Sequence, residues 1–237
     1  MVLKGKLFLL PVPLGGYNFK DVIPENVIKT TIELRHFIVE NEKSARRYLR
    51  LIDKDFPVDK SVFMVLDEHS SEKNISVFLD YTLKGIDTGL MSEAGVPGIA
   101  DPGANLVRLA HTKNIKVVPL SGPSSIILAL SASGLNGQNF TFHGYLPVKR
   151  DALALKIREI EKKSAKGETQ IFMETPYRNQ RLLEYLISVC NPDTKLCIAA
   201  DITLISEEIT TRTISEWRNK SPQLKNRLVI FLLNAGY

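Results

Sequence analysis

Through the first half of the chain, five short apolar runs, most of them rich in β-branched residues, alternate with stretches of helical spacing. The runs are Lys6–Leu10, His36–Val39, Ser61–Leu66, Asp87–Met91 and Lys116–Leu120. Between them lie Pro24–Leu34, Glu42–Ile52, Lys73–Leu83 and Asn105–Thr112, whose apolar residues recur with the period of one helix face. Strands that alternate with helices join through right-handed crossovers, so the sheet they build is mainly parallel and has helices on both faces. The pattern predicts an α/β domain over residues 1–121.

Residues 122–237 have a different texture. A helix beginning near Pro123 leads through Gly134 and Gly137 to a strand at Asn139–Gly144, then to a charged helix over Asp151–Lys163. Thr169–Met173 and Lys195–Ala199 read as strands, Glu207–Ile214 alternates polar with β-branched residues, and Asn226–Leu233 is more continuously apolar. A second, mixed α/β domain with more antiparallel pairing is expected. The linker near Ser121–Pro123 is short, which favours two domains that form a cleft.

Composition narrows the class. The 237 residues are 44% apolar and 24% charged, enough core for folded domains and too little charge for wholesale disorder. No apolar run reaches the ~18 residues that cross a bilayer. Lys4 and Lys6 precede Leu7–Leu10, but Pro11 and Pro13 break that run short of the ~7–15 residues of a secretory segment. The expectation is a soluble, cytoplasmic protein that does not enter membranes. Cys190 and Cys197 have neither CxxC spacing nor a histidine pair nearby, so buried thiols and no metal are expected. The net charge of +5 is compatible with a polyanionic partner without requiring one.

In an open parallel sheet, ligands collect beyond the carboxyl ends of the strands. The loop after the first strand is Pro11-Val-Pro-Leu-Gly-Gly16, which is not GxGxxG, so an ordinary dinucleotide site is not supported. Pro13 fixes the backbone there and Gly15 lets a ligand approach. The loop after the fourth strand, Ser92-Glu-Ala-Gly-Val-Pro-Gly-Ile-Ala-Asp-Pro-Gly103, holds three glycines, two prolines and two acids in twelve residues. That density specifies a long rigid loop, suited to a zwitterion whose carboxylate meets N–H groups and whose ammonium meets an acid. Ser121-Gly-Pro-Ser-Ser125 then turns into a helix N-terminus.

SEAGVPGIADPG followed by GPSS resembles the paired signature of the tetrapyrrole methylase superfamily. Within it, the chain is most similar to the bacterial 16S ribosomal RNA (cytidine) ribose 2′-O-methyltransferases. The further matches are VPLGG, Leu130-Ser-Ala-Ser-Gly-Leu135, Gly144-Tyr-Leu-Pro147 and Glu174-Thr-Pro-Tyr-Arg178, so the likeness spans about residues 6–233. The resemblance implies a two-domain tetrapyrrole-methylase-like fold with S-adenosylmethionine (SAM) in the interdomain cleft, a homodimer, and an enzyme that needs no metal. It implies cofactor contacts at Pro13, Gly15, Ser92, Glu93, Ala94, Gly95, Val96, Asp101, Ser124, Ser125, Met173 and Ala200.

The chain departs from that branch in several places. AEDTR becomes Val39-Glu-Asn-Glu-Lys43, HEHN becomes Asp67-Glu-His-Ser70, and RELTKxHEE becomes Ala200-Asp-Ile-Thr-Leu-Ile-Ser-Glu-Glu208. The departures cluster on the presumed substrate side. A ribose hydroxyl is a poor nucleophile and benefits from a positioned base; the candidates are Glu40, His69 and Glu93. Glu40 reads equally as a helix cap or a partner of Lys43 or Arg46, His69 as a surface histidine, and Glu93 as an orienting group. Lys149, Arg150 and Arg178 read as phosphate contacts or as a solvated face, and Tyr177 as a stacking platform or as packing. RNA, in the form of 16S rRNA or the small ribosomal subunit, is the expected partner. Two alternatives stay open: a methylase of a small molecule such as a corrin precursor, and a non-catalytic SAM- or RNA-binding paralogue.

Overall fold

The structure, a computed structural model, describes residues 3–16, 18–66 and 75–236. The chain divides into two compact units, Met1–Ser124 and Ser125–Tyr237.

In the first unit, β1 (Lys6–Leu9), β2 (His36–Val39), β3 (Val62–Val65), β4 (Thr88–Met91) and β5 (Lys116–Pro119) form one parallel sheet in the order β3-β2-β4-β1-β5. The inner strands are apolar on both sides because helices cover both faces. On one face lie α1 (Glu25–Glu33) and α2 (Glu42–Ile52), where Val27, Leu34, Ala45 and Leu49 pack with Phe37 and Val39. On the other, a 3₁₀ turn at Ile75–Leu79, α3 (Asp80–Leu83) and α4 (Gly103–Thr112) bring Leu79, Leu106 and Ala110 onto Leu7, Ile38 and Leu90. The helix expected over Lys73–Leu83 is thus a 3₁₀ turn continued by a single α-turn; its first two residues lie outside the described ones. Ile75, Ser76 and Val77 are weak helix formers, and Gly85 at φ 93° closes the segment.

This strand order has a consequence for ligands. The connection leaving β2 runs over one face and the connection leaving β4 over the other, although the two strands are neighbours. Their carboxyl ends therefore flank a topological switch point, where open α/β sheets form crevices.

In the second unit, α5 (Ser125–Ser133), β6 (Phe140–Tyr145), α6 (Arg150–Ser164), β7 (Thr169–Met173), α7 (Asn179–Val189), β8 (Lys195–Ala200), β9 (Glu208–Thr213), α8 (Ile214–Asn219) and β10 (Val229–Asn234) follow in chain order. The sheet runs β6-β7-β10-β8-β9; β6 and β7 are parallel and the remaining pairs antiparallel. Ile157, Ile160, Leu183, Leu186 and Trp217 from α6, α7 and α8 pack on Phe172, Ile198 and Phe231. The indole Nε1 of Trp217 donates to the Leu196 carbonyl at 2.9 Å. Cys190 and Cys197 are both buried and unbridged.

Candidate functional site

The carboxyl edge of the first sheet brings separate loops together. Asn41 caps α2, its side chain accepting from the Ser44 N–H at 3.1 Å, so the helix starts directly after Glu40. The Glu40 carboxylate accepts from the backbone N–H of Glu93 at 2.8 Å. Ser44 Oγ, in the first turn of α2, donates to Glu93 Oε1 at 3.2 Å. The β1 loop joins from the other side: Val12 and Gly95 exchange both backbone hydrogen bonds, at 3.0 and 3.1 Å. Between these parts lies a cavity of about 270 Å³ lined by Pro13, Gly15, Ser44, Tyr48, Ser92 and Glu93, among others.

The strand-four loop is held from within. Both oxygens of Asp101 accept from the Gly98 N–H, at 3.0 and 2.8 Å, and Oδ1 also accepts from the Gly103 N–H at 2.7 Å. Burial raises the Asp101 pKa against these N–H donors, which act to lower it. Asp101 therefore acts on the loop backbone. Gly95 sits at φ 74°, in the left-handed region, and a Cβ there would come within 3.1 Å of the Pro123 carbonyl and 3.2 Å of Leu14. Next to it, the backbone N–H groups of Ala94 and Val96 make no hydrogen bond among the described residues. Small side chains, a fixed backbone and unpartnered donors suit an adenosyl amino acid, and this surface fits SAM without adjustment of its chemistry.

In the second unit, Met173 ends β7 and is half-buried, and Ala200 ends β8 with its side chain packed in the core at 1% exposure. Ala200 has only backbone to offer a ligand. Ser124 ends the first unit and Ser125 opens α5. Lys149 and Arg150 are exposed at the start of α6, and Tyr177 is exposed in the turn before α7. Arg178 is committed: its guanidinium meets Glu174 Oε1 at 2.6 Å and the Thr175 hydroxyl at 3.1 Å, and it stacks 5.4 Å from the Tyr177 ring. Arg150, Arg178, Arg181 and Tyr185 border a groove of about 350 Å³. His69, with Asp67, Glu68 and Ser70, lies outside the described residues.

Residues 30–217 match the family described as Tetrapyrrole (Corrin/Porphyrin) Methylases. The chain belongs to that family. Proteins named Ribosomal RNA small subunit methyltransferase I are similar over nearly all of it. The Vibrio cholerae protein is 32% identical, over 98% of this chain and 77% of its own length. The Haemophilus influenzae protein is 30% identical, over 97% and 79%. Among solved structures, the methyltransferase CobJ superposes with a TM-score of 0.64 at 16% identity, covering 97% of this chain and 94% of CobJ. Uroporphyrin III C-methyl transferase from Thermus thermophilus gives 0.59 at 13%, covering 98% of each. These structures share the fold, and this tetrapyrrole methylase is a methyltransferase.

Three residues of this methylase's loops and grooves were not singled out from sequence: Ser44, Tyr48 and Arg181. Each sits on a helix whose amphipathic pattern already accounts for it, and only the strand order brings Ser44 to Glu93. The capping residue Asn41 just before them was the readable signal that α2 opens onto the sheet's edge.

Proposed function

We propose that this methylase transfers a methyl group from SAM to a ribose 2′-hydroxyl in small-subunit ribosomal RNA, acting as a cytoplasmic homodimer. One observation carries the reading: 32% identity across 98% of the chain to a protein named as a ribosomal RNA small subunit methyltransferase. SAM, when bound, supplies a methyl group made electrophilic by its sulfonium.

Everything else falls to this chain's residues, and alignment with exclusion of water is the largest share. The backbone of Ala94, Gly95 and Val96 would hold the donor, with Pro13, Gly15 and Ser92 beside it and Asp101 keeping the loop rigid. Ser124, Ser125, Met173 and Ala200 are assigned to the donor from the family resemblance. Glu40 fixes the start of the loop through the Glu93 N–H, and Glu93, whose carboxylate accepts from Ser44 Oγ on α2, would take the hydroxyl proton. His69 stays a second candidate for that proton. Lys149 and Arg150 would meet phosphates, Tyr177 would stack on a base, and Arg178 would hold that turn.

Tritiated SAM offered with deproteinised RNA, assembled small subunits and tetrapyrrole precursors tests the reading. Label is expected in ribose of small-subunit RNA. Label confined to the tetrapyrrole would overturn it.

A further inference from the structure

The groove of about 350 Å³ in the second unit is lined by the segment that opens α6 and by one side of α7. Its size falls within the ~300–1,000 Å³ of sites that enclose small ligands. Val148, Leu153, Leu182 and the Tyr185 ring give it apolar walls. Leu153, Leu182 and Tyr185 also pack on the core behind them, but Val148 stands 66% exposed with no core to join.

Three arginines and two glutamates line the same groove, an excess of one positive charge. Arg178 and Glu174 offset one another at 2.6 Å, and Glu184 accepts from Gln180 Nε2 at 3.2 Å along α7. Arg150 and Arg181 are exposed and make no ion pair among the described residues. The Arg150 guanidinium lies 6.0 Å from the centre of the Tyr185 ring, the outer limit of a cation–π contact, so it covers that face weakly. Unpaired arginines beside an aromatic ring and an exposed aliphatic side chain suit single-stranded nucleic acid, which needs charge for its phosphate and a flat apolar surface for its base.

None of the described residues assigned to the methyl donor or to proton transfer lines the groove. We infer that it holds one nucleotide of the substrate RNA other than the one methylated, unstacked from its neighbours. The base enters between Val148 and the Tyr185 ring, taking the place of Arg150 over that ring, and the phosphate meets Arg150 and Arg181. The inference rests on the proposed action on RNA and deepens it with a second point of attachment.

The test measures binding of wild-type enzyme and variants to deproteinised small-subunit RNA and to assembled subunits, once the methylated position has been mapped. Arg181→Gln, at an exposed position, should flatten the log–log salt dependence of RNA binding by about 0.7, the share of one single-strand phosphate. Tyr185→Leu keeps an apolar side chain on the core and loses the flat ring. It should weaken RNA binding about 5- to 150-fold, the loss of one stacked base, and Tyr185→Phe should bind as wild type does. Among RNA fragments made abasic at one position each, one position outside the methylated nucleotide should weaken the wild type by that same factor and leave Tyr185→Leu unaffected. SAM affinity by calorimetry and oligomeric state by sedimentation should stay those of the wild type. Unchanged RNA binding in Tyr185→Leu, an unchanged salt slope in Arg181→Gln, or abasic penalties that add to that of Tyr185→Leu at every position would each overturn the assignment. So would a loss seen with assembled subunits and absent with deproteinised RNA, which gives the groove to a ribosomal protein, or a change of oligomeric state, which gives it to a second copy of the chain. Should wild-type enzyme methylate no RNA at all, the proposed function falls and the groove assignment with it; should it methylate RNA while the variants bind as wild type does, only the groove assignment falls.

Discussion

The carboxylate of Glu40, at the end of β2, accepts a hydrogen bond from the backbone N–H of Glu93, just beyond β4, at 2.8 Å. The two residues are 53 positions apart, yet their strands are neighbours in the sheet. Together with the bond from Ser44 Oγ to Glu93 Oε1, this charged hydrogen bond ties the start of α2 to the start of the strand-four loop across the crevice. The bond gives Glu40 a positioning task, holding the first residue of the loop that follows Ser92 in place.

Positioning and proton abstraction predict different kinetics for Glu40. Glutamine keeps an acceptor oxygen where the Glu40 carboxylate has one, so Glu40→Gln should stay within about tenfold of the wild-type single-turnover rate. Glu40→Ala removes the acceptor, frees the loop and should lose roughly 100-fold, because small misplacements of aligned reactants are costly. A general base would instead lose ~10²–10⁴-fold in the glutamine variant as well.

Gly95→Val tests the loop surface. At φ 74° a branched side chain is strained, and its Cβ would press on the Pro123 carbonyl and Leu14. The Val12–Gly95 bridge should open and SAM affinity fall at least tenfold, while far-ultraviolet dichroism shows the sheet intact. Unchanged SAM affinity in calorimetry would remove the strand-four loop from the donor site.

Much of this architecture is legible in the residues themselves. Alternating apolar runs and helical spacings placed the parallel sheet, because strands buried on both faces must be apolar throughout, as Phe37–Val39 is. The family signature placed the loops. The helix over Asn179–Val189 is not among the sequence expectations although Leu182, Leu183 and Leu186 carry its apolar face. Helix α8 was missed although Thr213 and Glu216 form a capping box. What no local pattern could give is the meeting of Ser44 with Glu93, which depends on β2 and β4 being paired. Nor could it show that Arg178 is neutralised by Glu174, since an ion pair four residues apart in a turn depends on how that turn is folded.

That ion pair separates the basic residues of the second unit. Lys149 and Arg150 are exposed and have no ion-pair partner among the described residues, whereas Arg178 neutralises a Glu174 side chain that is 8% exposed. Lys149→Ala and Arg150→Ala should each flatten the log–log salt dependence of RNA binding by about 0.7, the increment for one phosphate on a single strand. Arg178→Ala should change that slope little and lower the melting temperature, because it strands a buried carboxylate. A slope unaffected by Lys149→Ala and Arg150→Ala would make both residues a solvated face.

The turn after β8 carries a second buried charge, and its pH dependence has a definite sign. Asp201 is 8% exposed, at φ 52°, and receives Arg227 Nε at 2.8 Å, the Ser206 hydroxyl at 3.0 Å and the Leu228 N–H at 3.0 Å. Burial by itself would raise its pKa; the Arg227, Leu228 and Ser206 donors outweigh burial and hold it below the ordinary 3.8. A carboxyl whose folded pKa is depressed adds stability that is full above its unfolded value. That stability disappears as pH falls through the folded value. Asp201→Asn should therefore be less stable than wild type at neutral pH, and the difference should shrink only once the pH drops below about 3.8. Arg227→Ala leaves the carboxylate buried without its counter-ion and should cost about 3 kcal/mol at pH 7. Urea unfolding of both variants between about pH 3 and pH 7 checks the pair, with the folded fraction at each starting point read from near-ultraviolet dichroism. A stability gap that stays constant across that range would show that Asp201 holds this turn through shape alone and that its charge contributes nothing.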